Sequence, residues 1–198
     1  MATQLTNIPL NVQEEPEETL SMHPRKFLLW LFIVSVTMMF AAFTSAYLVR
    51  KAEGNWLEFE LPRIFWYSTG VLMVSSLTMA LAPWAAKKDK FGLLRTLISI
   101  TFVLGLAFLV MQVMGWGKLV DMNVFFVGNP SGSFVYVFSL VHGVHIIAAL
   151  VVLIFALVAA FRVRIHAKNL SGIQMAATFW HFLDVLWLYL FIFLLYNN

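Results

Sequence analysis

Cysteine is absent from the 198 residues. That excludes disulfides, thiolate metal sites and cysteine nucleophiles together. Charge is scarce as well. Only 12% of the residues are Asp, Glu, Lys or Arg, against about a quarter in ordinary soluble domains. The formal net charge is only +3. The basic residues are scattered among connections rather than gathered on one face, so no nucleic-acid partner is indicated. Proline is sparse too, and only Pro83 falls inside an apolar run, close to its end. Transporters carry helices broken at mid-membrane, so this pattern argues against one.

What remains is apolar mass. Hydrophobic residues make up 61% of the chain. A soluble fold of this size cannot hide that many, so lipid must solvate part of them. Five runs are long enough to cross a hydrocarbon core, which takes about 20 residues in a helix. They cover about 27–48, 64–86, 93–115, 133–161 and 175–196. Strands are excluded in these runs, because lipid offers a peptide group no hydrogen-bond partner. The predicted fold is all-α: an integral membrane bundle of five transmembrane helices over residues 25–198, without internal repeats.

A polar tail over residues 1–24 precedes them. Its acidic run, Glu14, Glu15, Glu17 and Glu18, is unlike the basic start of a signal peptide. It reads as solvated, with docking on a partner subunit as the alternative.

Basic residues set the predicted orientation. Arg25, Lys26, Lys87, Lys88, Lys90, Arg95, Arg162, Arg164 and Lys168 flank one side, and only Arg50, Lys51, Arg63 and Lys118 flank the other. The amino terminus is expected in the cytoplasm and the carboxyl terminus outside. Arg162, Arg164, Lys87 and Lys88 are candidates to hold anionic lipid head groups, or else serve topology alone. Trp30, Trp66, Trp84, Trp116 and Tyr196 lie near run ends, as interfacial anchors do. The connection 116–132 is partly apolar, through Val124 to Val127, and is expected to cover helix ends or dip into the interface.

Polar groups inside the runs are the candidate site. An ionisable group in hydrocarbon is costly and should face protein with a partner. Tyr136, Ser139, His142 and His145 recur every three residues in the fourth run, and Thr178, His181 and Asp184 in the fifth. Asp184 is the only carboxylate inside any run. The two stripes are expected to face each other, with His and Asp in hydrogen-bonding reach, as a buried polar cluster of His142, His145, His181 and Asp184. Three uses of such a cluster are open. It pins helices in register, it ligates a metal or a bis-histidine haem b, since imidazole suits zinc, copper and iron, or it lies on a proton path. Gln112 reads as a packing or interfacial group.

Several segments resemble a known family. Phe179-Trp180-His181-Phe182-Leu183-Asp184-Val185-Leu186-Trp187 is similar to the W-H-F-x-D-x-x-W signature in the last helix of subunit III of cytochrome c oxidases and related quinol oxidases. Gly132-Ser133 and His142-Gly143-Val144-His145 resemble that family's G-S and H-G-x-H pattern, with Arg162 closing the helix. Gln112 and Trp116 resemble the end of its third helix, Leu31 to Ser35 the opening of its first, and Gly54-Asn55-Trp56 an outer loop. Five helices resemble the short bacterial form. Three family acids are replaced, by Val36, Gly115 and Gln174, which weakens any role in conducting protons through them.

The resemblance implies a non-catalytic subunit in the bacterial cytoplasmic membrane. It implies no haem, copper or other cofactor on this chain. Haem and copper would lie in partner subunits of an oxidase that reduces oxygen to water and pumps protons. It further implies contact with the catalytic subunit I, with subunit II in the same complex. It implies bound phospholipid in a cleft, and support of proton uptake. The His and Asp residues would then be polar contacts of the bundle. A haem b anchor of a quinone-linked enzyme, with His142 or His145 and His181 as ligands, is the alternative from a different class. Subunit III of a quinol oxidase is the alternative within the family.

Overall fold

A computed structural model describes residues 24–161 and 171–197. The acidic run of the tail, and Arg162, Arg164 and Lys168, lie outside the described residues. Five helices follow in order: α1 Pro24–Ala52, α2 Ile64–Lys87, α3 Phe91–Asp121, α4 Pro130–Phe161 and α5 Ser171–Asn197. Each is long and apolar enough to cross a membrane. The described residues contain no strand. Their outward faces carry bare apolar side chains, among them Leu77, Val103, Phe155 and Val185. Exposure on that scale needs lipid or protein rather than water around it.

The helices outrun the apolar segments that announced them. α3 was expected to end near residue 115 and continues to Asp121. Its last turn is polar and carries an ion pair from Lys118 to Asp121 at 3.2 Å. Hydropathy marks where lipid ends, not where helical hydrogen bonding ends. α4 opens on Pro130, whose missing N–H costs nothing in a first turn. Asn129 caps that turn by accepting from Ser131 N at 3.0 Å. The same side chain donates to Asn55 O at 3.1 Å and accepts from Leu57 N at 3.3 Å. The α1–α2 and α3–α4 connections therefore meet on one side, as five alternating spans require.

Four helices close a ring. α2 packs on α3, α3 on α4, α4 on α5, and α5 back on α2. The α2–α3 pair is the most extensive, helped by Ala82, Ala85 and Ala86, which are fully buried and let the backbones approach. α1 stands outside the ring. Among the described residues it packs on α4 and α5 only, and sparsely. Tyr47 donates from Oη to Asn197 O at 2.9 Å, and Lys51 Nζ donates to the same carbonyl. Tyr189 reaches Thr44 at 3.2 Å. At the far end of the bundle Arg95 donates from Nε to Ala160 O at 3.2 Å, a cation on the last carbonyls of α4.

The ring encloses Trp180 and Trp187 of α5, both fully buried. Trp180 crosses toward α3 and needs Gly105 there. A Cβ at Gly105 would lie 2.7 Å from Trp180 Cη2 and 2.9 Å from Leu150 Cδ2. Gly105→Ala should therefore lower stability by about 1–3 kcal/mol through overpacking. Gly70→Ala meets open space and should change it by less than about 0.5 kcal/mol. Unfolding midpoints in mixed detergent micelles decide this, and equal midpoints for the two variants would contradict the axial packing.

Candidate functional site

The α5 segment from Trp180 to Trp187 builds the interior. Residues 180, 184 and 187 follow helical spacing and share the inward face. Each indole needs an acceptor once buried, and α2 supplies it. Trp180 Nε1 donates to Ser75 Oγ at 3.1 Å, and Trp187 Nε1 donates to Thr69 Oγ1 at 3.0 Å. Those hydroxyls spend their own protons on Leu72 O and Phe65 O. The Trp187 ring lies edge-to-face on Phe108 of α3 at 5.1 Å and close to parallel with Phe65 of α2 at 6.4 Å.

The four ionisable residues do not form the single cluster expected of them. His142 is 0% exposed, and neither ring nitrogen has a hydrogen-bond partner among the described residues. Its ring packs 5.0 Å from Trp187 and 5.7 Å from Phe108. His145 turns away toward α1, beside Phe40 and Phe32, and donates from Nδ1 to Val141 O at 2.7 Å in its own helix. His181 is partly exposed, and its Nδ1 shares a hydrogen bond with Ser76 Oγ of α2 at 2.8 Å. Asp184 is 1% exposed. Its Oδ2 lies 3.9 Å from His181 Nδ1, and neither carboxyl oxygen has a hydrogen-bond partner among the described residues. So His181 and Asp184 come together, while His142 and His145 hydrogen-bond to neither.

Geometry explains the miss. Three residues advance a helix by about 300°, so a three-residue stripe slips back about 60° per step. From Tyr136 to His145 the slip reaches half a turn. Ser139 accordingly accepts from Trp116 Nε1 of α3 at 2.8 Å, while His145 faces α1. Among the described residues no three His, Asp or Glu side chains gather as metal ligands would.

The other candidates have plain structural places. Gln112 is buried and donates from Nε2 to Ser68 Oγ at 3.1 Å. Trp116, expected as an interfacial anchor, is partly buried and clasps Ser139 of α4. Gly132 lies under the α3–α4 connection, where a Cβ would meet Val124 Cγ1 at 2.8 Å and Phe125 O at 3.0 Å. Val124 is buried and its carbonyl accepts from Tyr136 Oη at 2.9 Å, while Phe125, Phe126 and Val127 are exposed. Lys87 and Lys88 are exposed at the end of α2, with Lys88 Nζ 4.3 Å from the centre of the Trp84 ring. Two of the three lost acids have apolar replacements in tight places: Val36 is buried, and a Cβ on Gly115 would come within 3.1 Å of Phe65 Cζ. The hydroxyls of Ser68, Thr69, Ser75 and Ser76 carry the site from α2. Their signal was present as two hydroxyl pairs on α2, of which Thr69 and Ser75, six residues apart, take the two indoles.

The fold and its buried polar contacts define a multi-pass membrane helix bundle. Comparison with known proteins makes the assignment specific. The sequence pattern of cytochrome c oxidase subunit III matches residues 18–198. The chain belongs to that family, and so to the subunits of respiratory haem–copper oxidases. It is 31% identical to cytochrome c oxidase subunit 3 of Alkalihalophilus pseudofirmus, over 89% of this chain and 88% of the relative. It is 28% identical to cytochrome bo(3) ubiquinol oxidase subunit 3 of Buchnera aphidicola, over 97% and 96%. It is 30% identical to the corresponding bo(3) subunit of Pseudomonas aeruginosa, over 82% and 79%.

The Trp187–Thr69 bond gives a direct test. In a double-mutant cycle with Trp187→Phe and Thr69→Val, the coupling energy should be about 0.6–2 kcal/mol, the range of interhelical hydrogen bonds in membranes. Additive single effects would contradict a bond that joins α5 to α2.

Proposed function

We propose that the chain is the non-catalytic, cofactor-free third subunit of a proton-pumping oxidase in the bacterial cytoplasmic membrane. In this reading it flanks the haem-bearing subunit I, in a complex that also contains subunit II, and prolongs its working life. The amino terminus faces the cytoplasm. The observation that supports it best is how the interior polar groups are used. Trp180, Trp187, Gln112, Ser139 and Tyr136 each bond to a neighbouring helix or connection rather than opening on a shared chamber. A bundle so engaged is a scaffold. Electron-donor choice, cytochrome or quinol, belongs to partner subunits, and relatives of both kinds match this chain.

Phospholipid is the second part of the proposal. Beside the amino-terminal half of α1 lies a cavity of about 880 Å³, walled by α1, α4 and α5. Phe32, Val152, Phe155 and Phe179 give it apolar walls suited to acyl chains, and Arg25 stands at its rim for an anionic head group. The weak packing of α1 leaves the cavity open. Lipid held there would support proton uptake by steadying the interface with subunit I.

Two measurements test this. A tag on this chain should bring down a haem-bearing membrane subunit, and recovery of the chain only as a free monomer or homo-oligomer would reject the assignment. Native mass spectrometry of the purified complex should find retained anionic phospholipid, reduced several-fold in Arg25→Gln. Equal retention in both would remove Arg25 from the lipid site.

A further inference from the structure

The gap between α1 and α2 is a face on which the bundle leaves one ring nitrogen of a half-open histidine unused. These helices are consecutive in the chain, yet among the described residues they do not pack on one another. Both lean on α5 or its neighbours, and α5 floors the gap. Gln174, Thr178, His181 and Val185 follow one another along this floor at helical spacing. At one end the gap deepens into a cavity of about 500 Å³, lined by Lys26 and Trp30 of α1, Pro83 of α2, and Gln174, Thr178 and His181 of α5.

His181 is the telling residue. Its side chain is 35% exposed. It lies about 9 Å along α5 from the start of the apolar run at residue 175, at 1.5 Å per residue, which is about a third of a hydrocarbon core about 30 Å thick. Ser76 holds its Nδ1. Its Nε2 has no hydrogen bond to any described residue. Acyl chains at that depth can give none, and head groups stay at the interface. A half-open ionisable group in the membrane should face protein.

We propose that the groove between α1 and α2 receives a transmembrane helix of the haem-bearing subunit, with one side chain hydrogen-bonded to His181 Nε2. The inference rests on the assignment as an oxidase subunit and adds the face used. Lys26 at the cavity rim suits an anionic head group, but His181 lies deeper than head groups reach, where a side chain of another membrane helix is the fitting partner for Nε2.

The chain has no cysteine, so single cysteines can carry a photoactivatable benzophenone in membranes holding the assembled oxidase. Thr178→Cys and Val185→Cys lie in the groove, and Val103→Cys lies on the outer face of α3. The groove positions should give an adduct containing peptides of the haem-bearing subunit, in at least tenfold excess over Val103. Haem-subunit adducts from Val103 alone, adducts to a second copy of this chain, or adducts to lipid alone would each overturn the proposal. Retention of this chain on the haem subunit should fall about three- to thirtyfold in His181→Leu, the fold-change of one interhelical hydrogen bond of about 0.6–2 kcal/mol. It should be largely restored in His181→Gln, with both variants eluting as folded protein. Equal retention of all three would count against the bond. If the unmodified chain does not co-purify with a haem subunit, the assignment itself fails. If it does and only other faces crosslink, the groove alone is wrong.

Discussion

The bundle depends on two indoles that must be both buried and hydrogen-bonded. Trp180 and Trp187 occupy the axis of the four-helix ring, and each has a single donor that hydrocarbon cannot satisfy. The α2 hydroxyls of Ser75 and Thr69 satisfy both. That fixes the register of α5 against α2, because a slip of one residue along α2 in either direction leaves a hydroxyl at only one of the two positions. It also sets what the other helices carry. α3 must be thin at Gly105 to admit the Trp180 ring, and α3 and α4 must offer Phe108 and His142 to the faces of Trp187. In lipid, where apolar burial gives helices little reason to associate, such close packing and directional bonds carry the specificity.

This makes the buried histidines and carboxylate easier to understand than a ligand set would. His142 acts by shape: a flat ring that completes a three-ring cluster with Phe108 and Trp187. His145 acts as a hinge plate between α4 and the aromatic side chains of α1. Asp184 occupies the inward position one turn before Trp187, and among the described residues its ion-pair neighbour is His181 on its own helix. The three types of role follow from direction around the helix, not from chemistry of the residue type.

Much of this was legible in the sequence. Helix number and identity followed from five apolar runs and from the demand that each peptide group in lipid find its partner within its own segment. The inward face of Trp180, Asp184 and Trp187 follows true helical spacing, whereas the sequence reading set Asp184 in a stripe with Thr178 and His181. What failed was the joining of His142, His145, His181 and Asp184. A repeat of three looks like a stripe over one turn and becomes a spiral over three. Helix adjacency was also out of reach. Nothing local to α1 announces that it stands outside the ring, since it is long and apolar enough to cross a membrane, as the other four are. The matching signal lay in pairs of elements: two hydroxyl pairs on α2 opposite two tryptophans on α5.

The marginal position of α1 then ties architecture to function. A helix held by Tyr47, Lys51 and Thr44 at one end, and by aromatic contacts along one side, leaves space on both flanks. On the α4 side the space is apolar with an arginine at its rim, the character of a lipid seat. On the α2 side the floor carries Gln174, Thr178 and His181, the character of a protein seat. The same α5 helix serves both, since its inward face is spent on the ring and its flanks remain. A subunit that steadies a larger neighbour needs a rigid body and a surface that is incomplete alone. The tryptophan-centred ring provides the first, and the detached α1 provides the second.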